Sequence, residues 1–129
     1  MSAEEVRRAA EHLVRAFSQH DTVAYFDAFA PEATFIFHNT PNVLMSRDAY
    51  ATLWASWESE GFRVLSCTSQ GGVVQMLGED VGVFFHTVRT TLAPENAPLS
   101  TGERETIVFQ RREGAWKAVH EHLSLDPSF

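Results

Sequence analysis

From Phe62 onward the chain is written in strand-like segments: FRVLSCTSQ, GVVQML, VGVFFHTVRTTL, RETIVFQRR and AWKAVHEHLSL. They are rich in β-branched and aromatic residues, and tight-turn candidates GED and REG separate three of them. Strands joined by short turns pair as an antiparallel meander, whose apolar face must be covered. The cover lies upstream. Ser2 to Glu5 (S-A-E-E) forms a capping box. Val6, Ala10, Leu13 and Phe17 follow at helical spacing and predict an amphipathic helix over about residues 3 to 19. Asp21 caps a second, shorter helix carrying Tyr25, Phe26 and Phe29, which Pro31 closes. ATFIFHN reads as a short strand and NTPNVLM as a loop. Ser46 caps a third helix bearing Tyr50, Leu53, Trp54 and Trp57. APENAPLSTG is the one long loop. The expected fold is α+β: a cone-shaped, curved antiparallel sheet with three helices over its concave face, enclosing a pocket. Residues 1–129 form one domain.

This order of elements resembles the nuclear transport factor 2-like superfamily, of cystatin-like fold, and within it the SnoaL-like proteins. The resemblance spans nearly the whole chain. Its sharpest part is RETIVFQRREGAWKAVHEHLS: a strand, a charged turn ending in Gly, a Trp, then H-x-H-x-S. That run also resembles the association domain of calcium/calmodulin-dependent protein kinase II. The superfamily holds isomerases, cyclases, dehydratases and assembly domains, so function must be argued from the site. The association domain's pocket arginines would fall at Thr87, Ile107 and Leu123, so its ligand is not carried over. The catalytic Asp of ketosteroid isomerase would fall at Phe37 and its first-helix Tyr at Leu13, so that mechanism is not carried over either.

A net charge of −7 excludes the clustered Lys and Arg of a nucleic-acid or anionic-membrane surface. No apolar run approaches the roughly 20 residues that span a bilayer. MSAEEVRRAAEHL carries acids early and does not read as a signal peptide. The single cysteine, Cys67, forms neither an internal disulfide nor a cysteine metal site. A cytoplasmic protein is expected, without nucleic acid, membrane, cofactor or metal.

Period-two alternation sorts the last three strands onto two faces. With REG as a two-residue hairpin, Ile107 stands opposite Glu121, Glu105 opposite Leu123 and Phe109 opposite Val119. The preceding strand sets Arg89 opposite Glu105 and Phe85 opposite Phe109. One face then carries Phe85, Thr87, Arg89, Glu105, Ile107, Phe109, Val119, Glu121 and Leu123. It is mainly apolar with a few polar groups, as a small-molecule cavity is. The other carries His86, Val88, Val108, Trp116, Ala118, His120 and His122, and is too apolar to leave wet; a homodimer through this outer sheet face is expected. A one-residue slip would exchange the two faces.

The chemistry-bearing set is Arg89 with Glu105 and Glu121. An Arg between carboxylates stays charged and forks onto a ligand carboxylate or carbonyl, and one of two acids sharing it can work as acid or base near neutrality. The bland alternative is a cross-strand ion pair at the sheet's edge. His120 and His122 share a strand face near His86. A lone H-x-H without an acid is either a weak metal motif or an interfacial, hydrogen-bonded pair, and the second reading is adopted. His38 and Asn39 end the first strand near the cavity mouth. Tyr50, Trp54 and Trp57 either roof a pocket for a flat ligand or are ordinary core aromatics.

Ligand-binding candidates are therefore Arg89, Glu105, Glu121, Tyr50, Trp54, Phe37 and Phe109, with Glu121 and Glu105 as catalytic candidates. Two functions follow. One is binding of a small, largely apolar ligand bearing a carboxylate or carbonyl. The other is acid–base catalysis of polyketide cyclase, isomerase or dehydratase type in the same cavity. An assembly module with no ligand is a third, weaker reading.

Overall fold

The computed structural model describes residues 2–129. Helix α1 (Ser2–Ser18) has Glu4 and Glu5 in its first turn and Arg15 in its last, which complements the helix dipole. It buries Val6, Ala10, Leu13 and Ala16. The Asp21 carboxylate caps α2 (Thr22–Asp27) by accepting from the Ala24 N–H, and Ser46 caps α3 (Arg47–Ser59) by accepting from Ala49. α2 stops earlier than the sequence suggests. Phe29 and Pro31 belong to strand β1 (Phe29–Phe37). Pro31 is tolerated there because β1 is an edge strand, where a missing N–H interrupts no ladder on the open side.

Strands β2 (Val64–Met76), β3 (Val81–Leu92), β4 (Leu99–Arg112) and β5 (Ala115–Leu125) complete a sheet in the order β1-β5-β4-β3-β2. All neighbours are antiparallel except β1, which runs parallel to β5. FRVLSCTSQ and GVVQML are not two strands but one. β2 carries an irregularity between Gln70 and Val73, where Gly71 adopts φ +65°. α1 lies close over the sheet at Gly82, where a Cβ would stand 2.8 Å from Val6 Cγ2. Among the described residues no helix is long and apolar enough to cross a membrane.

The β4–β5 hairpin turns through Glu113 (φ 51°) and Gly114 (φ 81°), the two positive φ values of a type I′ turn. Ile107 faces Glu121 and Glu105 faces Leu123, as the sequence predicts. Phe109, however, faces Ala118, because the register shifts there and leaves Val119 as an extra residue. The bulge turns Trp116 and Ala118 to the helix side. Ala118 is fully buried, and the Trp116 indole N–H donates to Glu5 on α1 at 2.9 Å.

The β3–β4 pairing differs from expectation by three residues. His86, not Arg89, faces Glu105; Arg89 faces Gly102 and Phe85 faces Thr106. The cause is the loop. β4 begins at Leu99, paired with Leu92, so the connection is residues 93–98 rather than the longer APENAPLSTG. An odd slip exchanges the faces of β3. Phe84, His86, Val88 and Thr90 point inward and are buried, while Phe85 and Arg89 point outward. Three of the apolar residues expected on the outer face, Val88, Trp116 and Ala118, are therefore on the inner one.

Candidate functional site

Between helices and sheet lies a cavity of about 270 Å³. Its walls are Leu13 and Phe17 of α1, Tyr25 of α2, Tyr50, Trp54 and Trp57 of α3, and Phe62 and Phe37; Glu103, Glu105, Glu121 and Leu123 line it from the sheet. The aromatic residues form one continuous packing. The Trp54 ring lies 5.0 to 6.0 Å from those of Phe17, Tyr25, Phe26 and Phe62, mostly edge to face. The Tyr25 and Tyr50 hydroxyls are 2.9 Å apart, so one donates to the other. Burial first, and the neighbouring Glu121 carboxyl next, push both phenols well above their ordinary range, so both remain protonated.

The polar end is an acid pair. Glu105 is 8% exposed and Glu121 2%. Burial alone would raise the Glu105 carboxyl, but hydrogen bonds from Glu121 and His86 outweigh it and hold it below the usual range. Glu121 is pushed well above that range, first by burial, then by the charge of Glu105 and a hydrogen bond to it that only the acid form can donate. The pair thus holds one proton, on Glu121. His86 Nε2 stands 2.6 Å from Glu105 Oε1, and its Nδ1 lies 2.5 Å from the Ser69 hydroxyl. Glu121 Oε1 is buried and, among the described residues, has no hydrogen-bond partner. At the mouth, His38 Nε2 lies 2.5 Å from Glu103 Oε2; burial raises the Glu103 carboxyl while His38 draws it back. Among the described residues no Lys or Arg lines the cavity.

The fold brings Glu105, Glu121, Tyr50, Trp54 and Phe37 together around this space. Phe109 is buried in the core beneath it and does not line it. Arg89 is outside altogether. Its side chain is 40% exposed, 3.7 Å from Asp126, and lies over the Phe129 ring at 4.5 Å. His86, Tyr25 and Glu103 were not predicted as site residues. His86 was legible only through the β3–β4 register, which placed it on the wrong face. Glu103 falls between the assigned loop and the assigned strand, and Tyr25 reads as a plain helix aromatic.

His120 Nδ1 lies 2.7 Å from the Thr34 hydroxyl on β1, and the two histidine rings are 6.4 Å apart. Partial burial, and then His122, lower the basicity of His120. Among the described residues no group of three His, Cys, Asp or Glu side chains is placed to hold a metal ion. Cys67 lines the cavity, but burial pushes its thiol up to about 11, the opposite of an activated nucleophile.

The sequence model described as the SnoaL-like domain matches residues 6–127. Comparison with curated proteins gives no match. Among solved structures, one assigned as a calcium/calmodulin-dependent protein kinase II association domain, from Xanthomonas campestris, superposes with TM-score 0.80 at 20% identity, covering 97% of this chain and 88% of that one. A nuclear transport factor 2-like protein of unknown function in nutrient uptake, from Rhodospirillum rubrum, gives 0.78 at 20% identity over 94% and 98%. A protein with a cystatin-like fold from Caulobacter vibrioides gives 0.79 at 11% over 98% and 92%. At these identities the likeness establishes the fold, the one expected from the sequence.

Proposed function

The chain belongs to the SnoaL-like domain family, and from that premise we propose that it binds a small, largely apolar ligand in the helix–sheet cavity, the ligand's polar head resting on Glu105 and Glu121. The observation that carries this is the orphaned Oε1 of Glu121. A buried acceptor without a partner costs about 1–3 kcal/mol, and a ligand that supplies a donor recovers it. The aromatic walls suit the body of such a molecule. With Arg89 outside, the head is a hydrogen-bond donor rather than a carboxylate, because an anion would meet Glu103 and Glu105 with no cation beside them. Tryptophan fluorescence and thermal shift with small arylalkyl donors test this. Binding should quench Trp54 and Trp57 and raise the melting temperature; no response in either would refute it.

A second reading has the same cavity perform acid–base chemistry. It is favoured by the opposed environments of the two carboxyls, which leave one an acid and the other a base. Turnover that is lost in Glu121→Gln while binding persists would separate catalysis from binding.

The outer sheet face is proposed to pair with a second copy of the chain. Phe85, Val73 and Ile36 are exposed there, beside half-buried Val83 and Val108. A two-fold contact between these faces buries the same patch twice. The solved relative named an association domain is in keeping with self-assembly through such a module.

A further inference from the structure

We propose that the cavity takes a hydrophobic amine, its ammonium head seated at Glu105 and Glu121 and its hydrocarbon body against Tyr50, Trp54 and Trp57. This rests on the reading that the cavity is a ligand site, and it names the class of ligand.

The head must be a donor, since Glu121 lines the cavity and its buried Oε1 acceptor, on a side chain only 2% exposed, has no partner among the described residues. It is best cationic. Three carboxyl groups line the cavity and, among the described residues, no Lys or Arg does. The two imidazoles near them are already engaged: His86 through both nitrogens, with Ser69 and Glu105, and His38 with Glu103. An alcohol would satisfy Oε1 but leave the acids without a counter-charge. An ammonium carries donors enough to reach both carboxyls, and the electron-rich rings of Tyr25 and Tyr50 line the same cavity. A bare metal ion is less suited, because among the described residues no group of three His, Cys, Asp or Glu side chains is placed to hold one.

Seating an ammonium changes the protonation of the pair. Burial first, and the charge of Glu105 beside it next, raise the Glu121 carboxyl and favour its acid form. A cation between them offsets that repulsion, so Glu121 ionises and its proton leaves to solvent. The groups facing Glu121 are Glu103 and Glu105 from β4, Tyr25 from α2 and Tyr50 from α3, with His38 at the mouth, Cys67 of β2 on the same wall and His86 of β3 behind Glu105. β1 and α1 contribute Phe37, Leu13 and Phe17, which carry no charge. Both tyrosines stay neutral, so the released proton comes from the acid pair. Affinity should therefore rise with pH.

The test is calorimetry on the full chain with phenethylamine, hexylamine and naphthylmethylamine, each against the alcohol and the carboxylate of the same skeleton. Two buffers of different protonation heat at about pH 6 report proton release. At least one amine should bind about tenfold more tightly than its alcohol, and the carboxylates should not bind. Binding enthalpy should differ between the buffers in the direction of proton release. Glu121→Gln should lose about tenfold in amine affinity and lose the buffer dependence, with a melting curve showing that it folds. Alcohols binding as tightly as amines would overturn the amine inference and leave the ligand site standing. Failure of every amine would overturn it too. If the alcohols also fail, the cavity reading falls with it.

Discussion

His86 Nε2 stands 2.6 Å from Glu105 Oε1 while Ser69 holds its other nitrogen, so the partner of the buried acid pair is an imidazole braced from the sheet's neighbouring strand. The His86 side chain is fully buried. Its removal strands a charged Glu105 in the interior. His86→Ala should therefore cost about 3 kcal/mol in urea denaturation. In Glu105→Gln the same His86 change should cost clearly less, because the two groups act as one unit.

Arg89 should be nearly dispensable. Its side chain is 40% exposed and its carboxylate partner Asp126 lies 3.7 Å away. Arg89→Ala should lower the melting temperature by less than about 4 °C. A larger loss would mean that Arg89 reaches the buried acids.

The two carboxyls should pull stability in opposite directions with pH. Glu121 is raised in the folded state, so the fold binds its proton more tightly than the unfolded chain does. Its contribution is full below the ordinary carboxylate range and fades as pH climbs through the folded value. Glu105 is lowered, so its contribution is full above that range and fades as pH falls. Glu121→Gln removes the first effect only. Melting temperatures from about pH 5 to about pH 8 should decline in the parent and much less in the variant. Parallel curves would show that Glu121 is not the proton-holding member.

Assembly through the outer face makes Phe85 its sensitive point, since it is 41% exposed at the middle of the sheet. Phe85→Glu should shift the mass by light scattering from dimer to monomer with little change in melting. A parent that is already monomeric at micromolar concentration would refute the assembly.

The fold and half of the site were legible because some registers are set by short-range chemistry. Glu113 and Gly114 admit one tight turn, and that turn fixes Ile107 against Glu121 and Glu105 against Leu123. The β3–β4 register has no such anchor. Its loop is six residues, 93–98, and nothing local distinguishes Ser100 or Thr101 as strand rather than loop. The error passed directly to the chemistry: Arg89 was exchanged for His86, and with it a cationic head-group site for an acidic one. The extra residue at Val119 was equally silent, since a bulge leaves no compositional mark in an otherwise strand-like run.

That extra residue divides β5 into two segments with independent obligations. Before it, Trp116 and Ala118 face the helices, as a tether to Glu5 and as a smooth bed beneath Phe29. After it, the inward positions pass to Glu121 and Leu123, which meet the cavity. Strict alternation would have carried the inward face from Ala118 to His120 and His122, and so lined the cavity with bases. The bulge thus decides which side chains this strand presents to its chamber, the Glu121 acid or the His120 and His122 imidazoles. A strand that ran these same residues without the bulge would present imidazoles where this one presents a carboxyl, and so favour a ligand of the opposite charge.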